Sequence, residues 1–294
     1  MAPFLVDLRF LGHLAREGDP SGASLEEALS EVARRFPFPG YFRPARGSYA
    51  NIARTVRRHL LPGSSVLDFG AGPADATAVV QALGYRCSAF DDLRDPWHLV
   101  DDNRERILAF ARAMGIDYCL AEAGGLPFER GSFDLVMIHD VLEHLHDSPR
   151  DLMNDLVDLV RPGGYLFATV PNAVNLRKRI AVLLGRTNLP AYDYYYWHPG
   201  AWRGHVREYV RDDLARLAAW LGLEVVELRG CSHMLTRLPA AVRPVWQAVT
   251  SIFRGVRDTW MLVARKPQGW EPRRTRPDRE VKSLLEQCAP YRFG

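Results

Sequence analysis

From residue 64 onward, short apolar runs alternate with helical segments, and this alternation restricts the chain more than any other feature. "SVLDFG", "RCSAFD", "DYCLAEA", "FDLVMIHD" and "YLFATVPN" read as strands bounded by turn residues. "DATAVVQALG", "NRERILAFARAMG" and "PRDLMNDLVDLVRPGG" read as the helices between them, stopped at Gly84, Gly115 and Pro162-Gly163-Gly164. Strand–helix alternation predicts a parallel sheet covered on both faces, and right-handed crossovers make it a Rossmann-like, doubly wound α/β fold. "EVVELRG" and "DTWMLVARK" bring the strand count to seven, with "DDLARLAAWLG" as a further helix. The sheet is expected to be mostly parallel.

What flanks this alternation divides the chain. "SLEEALSEVARRF" carries a capping box, Ser24 with Glu27, and is expected to be a helix broken by "PFPGYFRP". "SYANIARTVRRHL" follows as a second helix, so residues 1–60 read as a helical N-terminal cap. The α/β domain then spans 61–266, with a lid insertion at 172–206 and a helical insertion at 232–256, and a charged tail at 267–294. A pause this long in the alternation suggests a functional insertion.

The balance of 38 basic and 35 acidic residues, net +3, lacks the basic excess of a dedicated nucleic-acid binder. Cys87, Cys119, Cys231 and Cys288 include no C-x-x-C pair, which argues against a zinc knuckle. A reduced, cytoplasmic protein is expected. No run of 18 apolar residues spans a membrane, and the first residues lack a clean signal-peptide core.

"VLDFGAGPAD" lies where the first strand enters the first helix, where glycines let a backbone approach a ligand. Asp68 precedes Gly70 by two residues, Asp91 ends the second strand and Glu122 ends the third. The series Gly70, Gly72, Ala74 lacks the third glycine that packs over a pyrophosphate, and an acid before it repels phosphate but welcomes an amine. A nucleoside bearing an ammonium group suits this better than a dinucleotide.

With "AFDD", "AEAGGLPFERGSFDLVMIHDVLEHL" and "LVRPGGYLFATVPN" in the same order, the chain resembles the class I S-adenosylmethionine-dependent methyltransferases over roughly residues 45–265. The resemblance implies that Asp68, Phe69, Gly70, Ala71 and Gly72 line the methionine end of S-adenosylmethionine. It also implies that Asp91, with Asp92 beside it, holds the ribose hydroxyls, and that Glu122 and the backbone of Ala123 read adenine. Ala74 departs from the pattern, where glycine is common, as does Glu122, where aspartate is.

"HDVLEHLHDS" follows the fourth strand, at the sheet edge where ligands of such folds bind. His139 would abut the cofactor. If a helix begins here, Asp140 shares a face with Glu143 and His144. The acids also suit a polar helix start with no further role. His205 in "RGHVREY" is expected to face the same cavity, while His146 and Asp147 face solvent. Asp140, Glu143, His144 and His205 together resemble the divalent-metal site of small-RNA 2′-O-methyltransferases and of some sugar and quinone O-methyltransferases. Mg²⁺ or Mn²⁺ is implied, though two imidazoles suit Mn²⁺, Fe²⁺ or Zn²⁺ better than Mg²⁺. Without a metal, His144 or His205 would serve as general base.

The insertion carries Tyr192, Tyr194, Tyr195, Tyr196, Trp197 and Trp202, either a hydrophobic lid or a stacking surface for a flat ring or sugar face. Arg177, Lys178 and Arg179 are expected to be solvated. The whole pattern resembles methyltransferases that act on hydroxyls of sugars or polysaccharide precursors. A small hydroxylated substrate is therefore expected, and no nucleic acid. An RNA 2′-O-methyltransferase and a noncatalytic cofactor-binding subunit are the alternatives. The apolar face of residues 238–253 suits core or a homo-oligomer contact, or a peripheral membrane contact if the substrate is lipid-linked.

Overall fold

A computed structural model describes residues 23–121, 125–187, 189–232, 238 and 241–275. Two cap helices, α1 (Leu25–Arg35) and α2 (Pro39–His59), precede the sheet. The strands are β1 (Ser65–Phe69), β2 (Arg86–Asp91), β3 (Asp117–Leu120), β4 (Phe133–His139), β5 (Val160–Pro171), β6 (Glu224–Cys231) and β7 (Thr259–Arg265). The helices among them are α3 (Asp75–Ala82), α4 (Asn103–Ala113), α5 (Arg150–Leu159), α6 (Leu176–Leu183), α7 (Tyr192–Tyr196), α8 (Arg211–Trp220) and α9 (Arg243–Ile252).

The strands form one seven-stranded sheet in the order β3-β2-β1-β4-β5-β7-β6. The first five are parallel, and β7 runs antiparallel to both β5 and β6. The expected doubly wound, mostly parallel sheet is present. Order reverses at β1, whose neighbours β2 and β4 are reached by crossovers in opposite directions, so a crevice opens at the carboxyl ends of these strands.

Both faces are covered. One core joins Leu29 and Val32 of α1, Phe42 and Val56 of α2, and Val79 of α3 to Cys87 and Met137 of the sheet. The other joins Leu156 of α5 and Leu214 of α8 to Leu67, Ile138 and Leu262. In β4 the residues Leu135 to Ile138 are all buried, as a central strand covered on both faces requires.

Local chemistry sets several boundaries. α1 starts at the expected capping box, with the Ser24 hydroxyl accepting from Glu27 N and the Glu27 carboxylate from Ser24 N. "PFPGYFRP" breaks α1 as expected, after Arg35, but the second helix starts earlier than "SYANIARTVRRHL": Pro39 opens α2, which carries Pro44 within its 21 residues. Proline at the first helical position lacks only an N–H that would be orphaned anyway. Pro162-Gly163-Gly164 does not terminate α5 but lies inside β5, beside a register shift between Phe133 and Leu135. There a Cβ on Gly164 would meet Asp134 O at 2.7 Å, so only glycine lets the two strands approach.

The helical segment at 238–253 is realised as α9, but Val245, Ile252 and Phe253 are exposed. No helix among the described residues is long and apolar enough to cross a membrane. Cys87, Cys119 and Cys231 are free thiols, and Cys288 lies outside the described residues.

Phe42 tests how firmly the cap belongs to the core. It is 2% exposed and sits with ring centroids 5.8 Å from Phe36 and 4.7 Å from Tyr49. Phe42→Ala should destabilise the whole protein by about 3–5 kcal/mol in urea unfolding, as one transition. A loss under about 1 kcal/mol, or a separate early transition, would mean the cap folds apart from the sheet.

Candidate active site

A cavity of about 730 Å³ opens at the carboxyl ends of β1, β2 and β4. Gly70 to Gly72 form its floor, α2 and the segment after β2 one wall, and residues 139–141 and 144–146 with Trp202 and Arg203 the other. The glycine loop is fixed from two sides. Gly70 N and Ala71 N donate to Phe90 O, and Tyr118 Oη donates to Gly72 O. Gly70 has φ +73, and a Cβ there would meet Val141 Cγ2 at 2.3 Å. Ala74, the departure from the family pattern, holds φ 60 at the N-cap of α3, a left-handed conformation that glycine adopts at lower cost.

Carboxylates surround this loop. Asp91 accepts from Gly72 N at 2.9 Å and Leu93 N at 2.7 Å, which ties the acid at the end of β2 to the glycine turn. Asp68 is buried and accepts from Thr77 Oγ1 at 2.6 Å, and burial pushes its pKa up to about 7. Asp75, which sequence reasoning passed over, is buried and accepts the Tyr49 hydroxyl from the cap. Phe69 stacks on Phe90 with centroids 5.4 Å apart. Glu122 and Ala123 lie outside the described residues.

Sequence reasoning also missed His98. It is 3% exposed, lines the cavity beside Trp97, and neither ring nitrogen has a hydrogen-bond partner. Burial holds its pKa below the usual value, which keeps it neutral. Trp97 stacks on Tyr41 of the cap, so the cap completes a wall that no motif announced. The chain separation of Tyr41 and Trp97 hides this from the sequence.

Residues 139–146 depart from the expected helix. Asp140 adopts φ 53, a left-handed turn, and Leu142–His144 make a single 3₁₀ turn. The helix begins only at Arg150, after Pro149. Asp140 therefore does not share a helix face with Glu143 and His144. It lines the cavity and accepts from Thr169 Oγ1 at 3.3 Å; burial pushes its pKa up to about 6. The Asp140 side chain nevertheless remains reachable by solvent through the open cleft. His139 Nδ1 pairs with the same Thr169 hydroxyl, and burial depresses its pKa to about 3.

Glu143, His144 and His205 do come together, with one ligand-type atom from each within 4.8 Å of the others. Asp140 is not part of this group, and of the three only His144 lines the cavity, so His205 does not face it as expected. Glu143 is fully buried, and neither carboxylate oxygen has a hydrogen-bond partner. Burial, with Asp140 nearby, pushes its pKa up to about 9. His144 Nδ1 donates to Arg203 O at 2.6 Å, and His205 Nδ1 to Glu208 Oε1 at 2.9 Å. Each hydrogen bond fixes the tautomer that leaves Nε2 with a lone pair. His205 Nε2 stands 4.0 Å from Glu143 Oε1.

One expectation about this region changes and one holds. Lys178 is not solvated: α6, capped by Asn175, buries it against Glu208, and burial lowers its pKa to about 8. His146 is exposed but anchored, its Nε2 donating to Trp202 O at 2.8 Å. Of the aromatic run, Trp202 lines the cavity and packs on Tyr194, Tyr195 and His198, whereas Tyr192 to Trp197 are exposed. Glu208, three residues after His205, was the one sequence signal for the second acid at this site.

A methyltransferase-domain family profile matches residues 41–228. The chain belongs to that family. The ubiquinone biosynthesis O-methyltransferase of Burkholderia pseudomallei (strain 1710b) is 25% identical over 174 residues, 59% of this chain and 70% of that protein. That of Xanthomonas campestris pv. campestris (strain B100) is 27% identical over 183 residues, 60% and 69% of the two chains. A chain from the complex of the Haloferax volcanii Trm112 methyltransferase activator with its methyltransferase superposes with TM-score 0.53 at 15% identity, covering 85% of this chain and 100% of its own. The cyclopropane-fatty-acyl-phospholipid synthase-like protein of Lactobacillus casei gives 0.53 at 14%, covering 82% and 99%. These two structures share the fold. The protein is an S-adenosylmethionine-dependent methyltransferase.

The cavity floor suits that cofactor: a glycine turn open above Gly72, carboxylates on two sides and no basic residue in the loop to draw a phosphate. Calorimetry should show micromolar binding, about −8 kcal/mol. Asp91→Ala should weaken it at least about tenfold, since a hydrogen bond to a charged acceptor is worth about 1.5–3 kcal/mol. Asp68 has a raised pKa, and an ammonium group bound beside it would favour its ionised form, so binding is expected to release a proton near neutrality. Affinity should fall as pH drops below 7. Asp68→Asn should flatten that dependence; an equally pH-dependent variant would exclude Asp68 as its source.

Proposed function

We propose that the protein transfers a methyl group to a hydroxyl oxygen of a sugar-containing or other small hydroxylated substrate, with a divalent cation held by Glu143, His144 and His205. The observation that carries this reading is the buried Glu143 carboxylate. Both of its oxygens lack partners, and it faces two imidazoles whose Nε2 lone pairs are free. A partnerless buried carboxylate is costly, and a cation would relieve that cost. The donor set, one carboxylate and two imidazoles, fits Mn²⁺, Fe²⁺ or Zn²⁺ better than Mg²⁺.

Such a cation, when bound, supplies positive charge that acidifies a substrate hydroxyl and orients its oxygen. The chain's own residues do the rest. Glu208, braced by Lys178, fixes the His205 ring, and the Arg203 carbonyl fixes His144. His139, held neutral beneath Phe167, adds no competing positive charge beside a sulfonium. Trp202 offers an aromatic edge to a substrate in the cavity. The relatives named O-methyltransferases support an oxygen acceptor, and so does an acid–imidazole cluster suited to taking a hydroxyl proton. The near-neutral charge, +3, disfavours the RNA alternative.

His144→Ala and His205→Ala should each lower turnover by about 10²–10⁴ while leaving S-adenosylmethionine affinity nearly unchanged. The double variant should be little worse than either single one, because residues that act as a unit are non-additive. EDTA should inactivate the enzyme, and Mn²⁺ or Mg²⁺ should restore it. Dead single variants with no EDTA effect would replace the cation with a histidine general base. Near-normal activity in both would remove this cluster from catalysis. Mass spectrometry of the product decides the acceptor, and methyl found on nitrogen or carbon overturns the O-methyl reading.

A further inference from the structure

Residues 202–209 run back along the 3₁₀ turn as a strap. Trp202 O and Arg203 O accept from His146 and His144, Val206 N donates to Glu143 O at 2.7 Å, and Tyr209 Oη donates to Leu142 O at 3.1 Å. The Arg203 side chain leaves this strap and crosses to the loop after β2. Its Nη2 donates to Asp92 Oδ1 at 2.9 Å, its Nη1 to Asp92 Oδ2 at 3.2 Å, and its Nε to Asp95 Oδ1 at 2.6 Å. Asp92 directly follows Asp91, whose carboxylate is bonded to the glycine loop. Arg203 and Trp202 line the same cavity as Gly70–Gly72 and Asp91. One residue therefore holds His144 with its carbonyl and the nucleoside-side loop with its guanidinium. The forked contact to one carboxylate plus a third bond to another matches arginine and no other side chain.

We propose that Arg203 is a positioning residue that couples occupation of the nucleoside end of the cavity to the orientation of His144, and that its ion pairs hold the strap closed over the bound cofactor. Trp202 and Arg203 stand in the cavity wall, so a ligand that fills the cavity touches the strap, and parting of the Arg203–Asp92 and Arg203–Asp95 pairs widens its way out. The Arg203 side chain is 39% exposed, and those of Asp92 and Asp95 are 30% and 45% exposed. Pairs this open to water are weakened by salt, which makes strap opening tunable by ionic strength. With the pairs broken, Arg203 O is held only through its neighbours' bonds to the turn, and the acceptor that sets the His144 ring is less firmly placed. The same guanidinium neutralises two acids that would otherwise crowd Asp91. The proposal rests on the reading of His144 as a catalytic group, whether cation ligand or base, and not on a bound cation.

The test uses the full-length enzyme, with S-adenosylhomocysteine release followed by stopped flow beside steady-state kinetics. Wild-type release should quicken several-fold between low salt and about 1 M NaCl, where the screening length falls to about 3 Å. Arg203→Ala should release rapidly at every salt concentration. Its kcat at saturating S-adenosylmethionine should also fall, because His144 is loosened. Asp95→Asn should move both quantities the same way by a smaller amount, with the strap sequence untouched. Arg203→Lys should recover part of the slow release, since a single charge replaces the fork. Slow, wild-type release in Arg203→Ala overturns the proposal. So does a rise in KM with kcat unchanged, which would make Arg203 only a grip on the cofactor. If circular dichroism shows that Arg203→Ala fails to fold, Asp95→Asn and Arg203→Lys decide: wild-type, salt-sensitive release in both overturns it.

Discussion

The reversal of strand order at β1 is the constraint on which the rest of this structure depends. Because β2 and β4 flank β1 and their crossovers leave in opposite directions, a crevice opens at the carboxyl ends of these strands. Most groups assigned to the site line that gap, and Glu143 and His205 join it through His144. The glycine turn leaves β1, Asp91 and Asp92 leave β2, and His139 to His146 leave β4. The antiparallel β7 lies two strands from β4, beyond the gap, so its direction does not disturb the site.

Uncompensated carboxylates are the chief electrostatic feature of the gap. Asp68, Asp75, Asp91, Asp140 and Glu143 all have pKa values raised by burial. Stability alone would not gather them, since each loses hydration that the protein only partly replaces. A cationic sulfonium with its ammonium group suits the acids beside the glycine turn. The remaining acid, Glu143, sits where two imidazoles present lone pairs. The acids thus divide into two groups, one around the glycine turn and one beside the strap, and Arg203 bridges the two.

Much of this is legible in the amino-acid sequence. Periodicity and turn residues specify the strands, the capping box places α1, and the glycine–acid spacing points to an ammonium-bearing nucleoside. These features are local: each depends on residues within one turn or one strand of each other. Where local rules compete, the sequence misleads. Pro-Gly-Gly reads as a stop signal, yet in the sheet it serves a close strand approach. "HDVLEHL" reads as a helix start, yet Asp140 turns the chain in a left-handed conformation and separates itself from Glu143 and His144.

The sequence by itself determined the fold class, the order of the elements and the two halves of the acid–histidine cluster, because hydrophobic period and turn chemistry are written along the chain. Only the tertiary structure decided the partners. It buried Lys178 on Glu208, brought Tyr41 onto Trp97, removed Asp140 from the cluster and sent Arg203 to Asp92 and Asp95. Arg203 and Asp92 are 111 residues apart. Contacts of that kind depend on where the sheet delivers each loop, and no spacing along the chain encodes that position.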